Sequence, residues 1–83
     1  MRDSQGGEDP RAYRRIAGGL RRRVEAGELR SGQAVPSIAA LARQTGHARQ
    51  TCGKALRLLE GEGLLARYPG LGYYVRGPAP EGG

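Results

Sequence analysis

Arg49, Gln50, Lys54 and Arg57 fall one, three and four residues apart. If residues 48–62 form a helix, that spacing places them on one face, with Gly53 among them. Cys52, Ala55, Leu56 and Leu59 then make the opposite, apolar face. An arginine forks onto phosphates and guanine edges in a way lysine does not. The chemistry on offer is therefore recognition of a polyanion. Covalent chemistry has no comparable support. No nucleophile stands with a base, and Glu60 and Glu62 are two residues apart, so they do not face each other on a helix. Gly70-Leu71-Gly72 does not lead from a strand into a helix, as a nucleotide cradle must. His47 is the only histidine, with no cysteine or carboxylate at ligand spacing, so no metal site and no cofactor are expected. Cys52, on the apolar face, reads as inert core. The chain does not read as an enzyme.

The composition agrees. The chain has 83 residues, 14 of them basic and 8 acidic, for a net charge of +6 and a pI near 10.4. That length bounds it to one small domain with a thin core. All the basic residues but Lys54 are arginine. A coding bias toward Arg, Gly, Ala and Pro accounts for that preference, since the chain also has 15 glycines and no Phe or Trp. The excess of positive charge needs a separate cause, and a polyanionic partner is the natural one. No apolar run approaches the roughly 18 residues of a membrane span. The first ten residues lack the apolar stretch of a signal peptide. A cytoplasmic, nucleoid-associated protein is expected.

The elements that would position these side chains follow from periodicity and turn chemistry. Residues 1–9 and 77–83 read as polar, Gly- and Pro-containing tails around one block, 10–76. The first helix is expected to begin at Asp9-Pro10, an N-cap followed by a first-turn proline. Tyr13, Ile16, Ala17, Leu20 and Val24 make its apolar stripe, and Gly27 stops it. Gly18-Gly19 inside it is a local conflict that close packing against a neighbour would explain. Residues 28–36 read as a connector. Ser37 caps a short helix over about 38–45, which Gly46 ends. The third helix runs over about 48–62 and stops at Gly63. Leu64–Tyr68 and Tyr73–Arg76 read as two strands joined at Pro69-Gly70-Leu71-Gly72. Tyr73 and Tyr74 alternate across the second strand, so one packs inward and the other faces out. Tyr13, Ile16, Leu20, Val24, Ile38, Leu41, Leu56, Leu59, Leu64 and Leu65 are the expected core.

Helix, short helix, Gly-containing turn, basic helix and hairpin is the order of a helix-turn-helix followed by a wing. The fold expected is mainly α with a small β-hairpin, a three-helix winged helix-turn-helix. The basic helix suits the major groove of duplex DNA. Arg67 and Arg76 flank a glycine-rich tip that can approach the backbone or minor groove.

The residues resemble a known family. Tyr13-x-x-Ile16, Gly27-x-Leu29-x-x-Gly32, Val35-Pro36-Ser37, Leu41-Ala42, Arg49-x-Thr51, Ala55-Leu56-x-x-Leu59-x-x-Glu62-Gly63-Leu64 and Gly70-x-Gly72-x-Tyr74-Val75 look like the winged-helix DNA-binding domain of GntR bacterial transcriptional regulators. The resemblance covers about residues 11–76. It implies repressor-type binding to an operator, with a possible homodimer on a palindromic site. It implies that Arg49 reads a guanine, that Thr51 meets the DNA backbone, that Ser37 caps the short helix and touches a phosphate, and that Gly70 is the wing-tip glycine.

Three positions depart from the family pattern. Ala39 and Gly53 stand where arginines are usual, and His47-Ala48 where Val-Ser is common. This implies weaker binding or a different operator, with Gln50, Lys54 and Arg57 taking over some contacts. Gly53 is either drift or a place where the backbone approaches a base edge. His47 reads as a turn or cap-adjacent residue, with a phosphate contact as the alternative. The residues assigned to DNA are Ser37, His47, Arg49, Gln50, Thr51, Gly53, Lys54, Arg57, Arg67 and Gly70. The chain also stops just after the wing, where family members normally carry an effector-binding, dimerising domain. It therefore reads as an excised domain or a small stand-alone protein. The competing reading is a winged-helix adaptor that binds protein and has little affinity for duplex DNA. RNA binding is a third.

Overall fold

The computed structural model describes residues 9–76. The expected tails lie outside them, apart from Asp9. The elements are α1 (Ala12–Glu25), α2 (Ile38–Thr45), α3 (Arg49–Gly61), β1 (Leu65–Tyr68) and β2 (Gly72–Val75).

α1 begins later than its proline suggests. Asp9 does not cap it; the N-cap is Arg11. Asp9 instead closes a turn before the helix, where its carboxylate accepts from the Arg11 N–H at 2.8 Å and its carbonyl from the Ala12 N–H at 2.9 Å. The C-terminus ends as expected. Gly27 adopts φ +83°, and the Glu28 N–H donates to the Arg23 carbonyl at 2.9 Å. The Gly18-Gly19 pair has no packing reason. A Cβ on Gly18 would meet only the Arg22 guanidinium, at 3.7 Å, and one on Gly19 would meet nothing within 4 Å.

α2 matches its local signals. The Ser37 hydroxyl accepts from the Ala40 N–H at 3.0 Å, and Gly46 ends the helix at φ +78°. α3 starts from Ala48, which has extended N-cap geometry and no side-chain acceptor. The turn between them is braced by Thr45. Its hydroxyl donates to the Leu41 carbonyl at 2.7 Å and accepts from the His47 N–H at 3.2 Å.

The hairpin is antiparallel, pairing Leu65 with Val75, Ala66 with Tyr74, Arg67 with Tyr73 and Tyr68 with Gly72. The sheet does not end at β2. Residues 32–35 run along its other edge, with Ala34 bridging Tyr74. The Val35 N–H donates to the Tyr73 carbonyl at 3.0 Å, and the Val75 N–H to the Gln33 carbonyl at 2.8 Å. The stretch expected only to connect two helices thus anchors the wing from behind.

The core joins all these elements. Ile16, Ala17 and Leu20 of α1, Leu41 of α2, and Cys52, Ala55, Leu56 and Leu59 of α3 meet Leu29, Val35, Leu65 and Val75. Tyr13, Val24, Ile38 and Leu64 pack on its edge and stay partly exposed. Tyr73 packs inward, whereas Tyr74 stacks edge-on against Tyr68 with ring centres 5.4 Å apart.

Candidate nucleic-acid interface

The surface begins with α3, because the core takes the opposite side of that helix. Arg49, Gln50, Lys54 and Arg57 are exposed, and Thr51 is half-buried. Gly53 is not open on this face. It is buried, and a Cβ there would meet Ile38 Cδ1 of α2 at 3.4 Å and Arg57 Nη1 at 3.5 Å. The helical wheel puts residue 53 with the polar residues, but α2 crosses close enough to cover it.

One groove flanks α3 on its α1 side, and another lies between α2 and the wing. The first, of about 440 Å³, lies between α3 and the start of α1 and is lined by Asp9, Pro10, Tyr13, Gln50, Thr51, Lys54 and Arg57. Tyr13 is the functional-surface residue that its apolar spacing hid. The Lys54 ammonium stands 4.4 Å from the centre of its ring. The Arg14 guanidinium donates to its hydroxyl at 3.2 Å. That hydrogen bond lowers the Tyr13 phenol from its ordinary value; burial opposes it, and the nearby Arg14 and Lys54 charges add to the lowering.

The second groove, of about 420 Å³, runs between the start of α2 and the wing. Ser37, Ile38 and Ala39 form one wall; Arg67, Gly70, Leu71 and Tyr73 form the other. Ile38 belongs both to this wall and to the cover over Gly53, so the surface continues from α3 to the wing. Gly70 at φ +81° and Gly72 at φ +108° let the chain reverse tightly at the tip. Leu71 sits between them, 71% exposed. Apolar-core reasoning did not single it out, because a lone leucine in a turn carries no periodicity.

His47 is placed apart from these grooves' linings. It borders a shallower groove with Ile16, Leu20, Leu41 and Thr45, against α1. The expected set therefore divides. Gln50, Thr51, Lys54 and Arg57 share one groove; Ser37, Arg67 and Gly70 share the other; Arg49 stands exposed at the first turn of α3.

The ion pairs of the described residues all involve α1. On α1, Arg15 pairs with Asp9 at 3.1 Å, Arg21 with Glu62 at 2.7 Å and Arg23 with Glu28 at 3.5 Å. Arg49, Lys54, Arg57 and Arg67 make no ion pair among the described residues. The Arg21–Glu62 pair bridges α1 and the end of α3 through two hydrogen bonds from one guanidinium nitrogen, which assigns that arginine a structural part. Among the described residues no cluster of histidine, cysteine or carboxylate groups could hold a metal ion. No described helix is long and apolar enough to cross a membrane.

Comparison with known proteins agrees with this architecture. Residues 12–75 match the family model for bacterial regulatory proteins of the gntR family. The chain is 39% identical over 64 residues to the mannosyl-D-glycerate transport/metabolism system repressor MngR of Escherichia coli, covering 77% of this chain and 27% of that one. It is 36% identical over 66 residues to the histidine utilization repressor of Klebsiella aerogenes, covering 80% and 27%. It thus spans about a quarter of the length of these curated relatives. The crystal structure of AraR(DBD) in complex with operator ORX1 superposes with a TM-score of 0.75 at 25% identity, over 90% of this chain and 89% of that one. Three helices, a wing braced by the α1–α2 connector and a family match over nearly all the described residues lead to one assignment: the chain belongs to the GntR family of bacterial regulatory proteins.

Proposed function

We propose that this chain binds duplex DNA sequence-specifically, as part of a transcriptional regulator of the repressor type in the bacterial cytoplasm. The observation that carries the reading is the distribution of free charge. Three of the five α1 arginines, Arg15, Arg21 and Arg23, pair with carboxylates, while Arg49, Lys54 and Arg57 of α3 and Arg67 of the wing have no ion pair among the described residues. Unpaired cations along an outward helix and its flanking hairpin fit the repeating phosphates of a duplex. Two curated relatives are named as repressors, and the AraR domain was crystallised with an operator.

In this reading α3 enters the major groove with Arg49 as a base reader. Gln50 and Lys54 supplement it. Ser37, Thr51 and Arg67 hold phosphates on either side, His47 borders the backbone, and Gly70 lets the wing tip come close to the minor groove. Two copies would read a palindromic site with half-sites about one helical turn apart. No catalytic step is part of this function.

Fluorescence anisotropy of the purified chain tests it, with duplex from the region upstream of its own gene, a scrambled duplex and a salt series. A preference for the upstream duplex, with affinity falling steeply as salt rises, is expected. No binding to either duplex at low salt would overturn the reading in favour of a protein-binding adaptor. Tighter binding to structured RNA than to duplex DNA would overturn it as well.

A further inference from the structure

Gly53 is a helical residue of ordinary backbone conformation, so no turn or positive φ requires a glycine there. Two side chains close over it. Ile38 reaches it from α2, and Arg57 from one turn further along α3, with Nη1 at 3.5 Å from where a Cβ would stand. The position of Arg57 follows from helix geometry. Side chains lean toward the helix N-terminus, over the residue four places earlier. Four residues of rise carry the guanidinium about 6 Å toward the start of α3. A recognition helix meets base edges mainly with its N-terminal residues. Arg57 thus brings a five-donor fork into the zone of Arg49 and Gln50, although its backbone lies beyond it. A long side chain at residue 53 would fill the place the guanidinium occupies. The Lys54 ammonium is engaged instead by the Tyr13 ring, at 4.4 Å. Arg57 is exposed and has no ion pair among the described residues, so its fork is unspent.

We propose that Arg57 is a specificity-determining residue, whose guanidinium, laid over Gly53, forks onto the N7 and O6 acceptors of a guanine in the major groove. The proposal rests on the duplex-DNA reading above. It makes the glycine functional through its neighbour: the small residue clears the space, and the arginine one turn on uses it.

The test is selection of binding sites from a randomised duplex library by the purified chain and by Arg57→Ala and Arg57→Lys. The side chain is exposed, so both variants are expected to fold, and circular dichroism checks this. The chain itself is expected to select a motif. Both variants should lose the preference at one and the same G·C pair, by roughly 5- to 150-fold, and keep the preferences elsewhere. Arg57→Lys keeps the charge but not the fork, so it should restore overall affinity without restoring that preference. If Arg57→Ala weakens all duplexes equally, or Arg57→Lys recovers the preference, Arg57 is only a phosphate contact and the proposal fails while the DNA reading stands. An unchanged motif in Arg57→Ala also overturns it. If the unsubstituted chain selects no motif, both readings fail together.

Discussion

The Lys54 ammonium lies 4.4 Å from the centre of the Tyr13 ring, which ties the outer face of α3 to the first turn of α1. A cation over a partly exposed ring contributes about 0.5–1 kcal/mol. The same contact holds a lysine beside the groove that Gln50 and Thr51 share. A double-mutant cycle with Tyr13→Leu and Lys54→Met, read by urea unfolding, should give a coupling of about 0.5 kcal/mol. Additive effects would mean that the two side chains are merely near each other.

Arg49 and Arg67 stand on different elements and should fail differently. Arg49→Ala is expected to relax discrimination at one base pair by about 1–3 kcal/mol. Arg67→Ala should weaken all duplexes by a similar factor and reduce the salt slope by about one. Anisotropy with single-base-pair variants of a selected site separates them. A uniform loss from Arg49→Ala would remove it from the base readers.

Gly18 and Gly19 weaken α1 without a packing return. Gly18→Ala and Gly19→Ala should each stabilise the fold by about 0.5–1 kcal/mol. Thermal melts should then rise by about 4–8 °C for each kcal/mol gained. A lower melting temperature for either variant would reveal a constraint that the local space does not account for.

Asp9 makes the start of α1 acid-sensitive. The Arg11 N–H, and secondarily the Arg15 guanidinium, hold its carboxyl below its ordinary value of 3.8. A carboxyl depressed on folding contributes stability that is fully present above its unfolded value and lost as pH falls through the folded one. The first turn should therefore be insensitive to pH near neutrality and loosen only in acid below 3.8. The Arg11 amide resonance, followed by NMR, should titrate with that midpoint. A midpoint above 3.8 would contradict the hydrogen bond.

The elements legible in the sequence are those whose signals lie within a few residues. α2 runs between its expected bounds because Ser37 satisfies an end N–H three residues away and Gly46 takes the left-handed turn that stops it. The hairpin follows from Pro69-Gly70 and the apolar Leu65 and Val75, although β1 starts one residue later than expected and β2 lies one residue earlier. α1 shifts because Asp9 folds onto Arg11 rather than onto the helix. Cys52 and most of the leucine core follow from helical spacing alone.

The sequence by itself determined which side of each helix is apolar, where α1 and α2 stop, and how the cations of α3 are spaced. Those are consequences of backbone periodicity, local hydrogen bonding and side-chain chemistry, which act over one or two turns. Only the tertiary structure decided what each cation does. It neutralises Arg21 with Glu62, 41 residues away, and draws Lys54 to Tyr13. It covers Gly53 with Ile38 from another helix and seats residues 32–35 against β2. Each is a contact between segments distant in the chain, set by how the helices and wing cross once the shared core is buried. No pattern in one segment encodes the crossing, because it depends on the shapes of both partners at once.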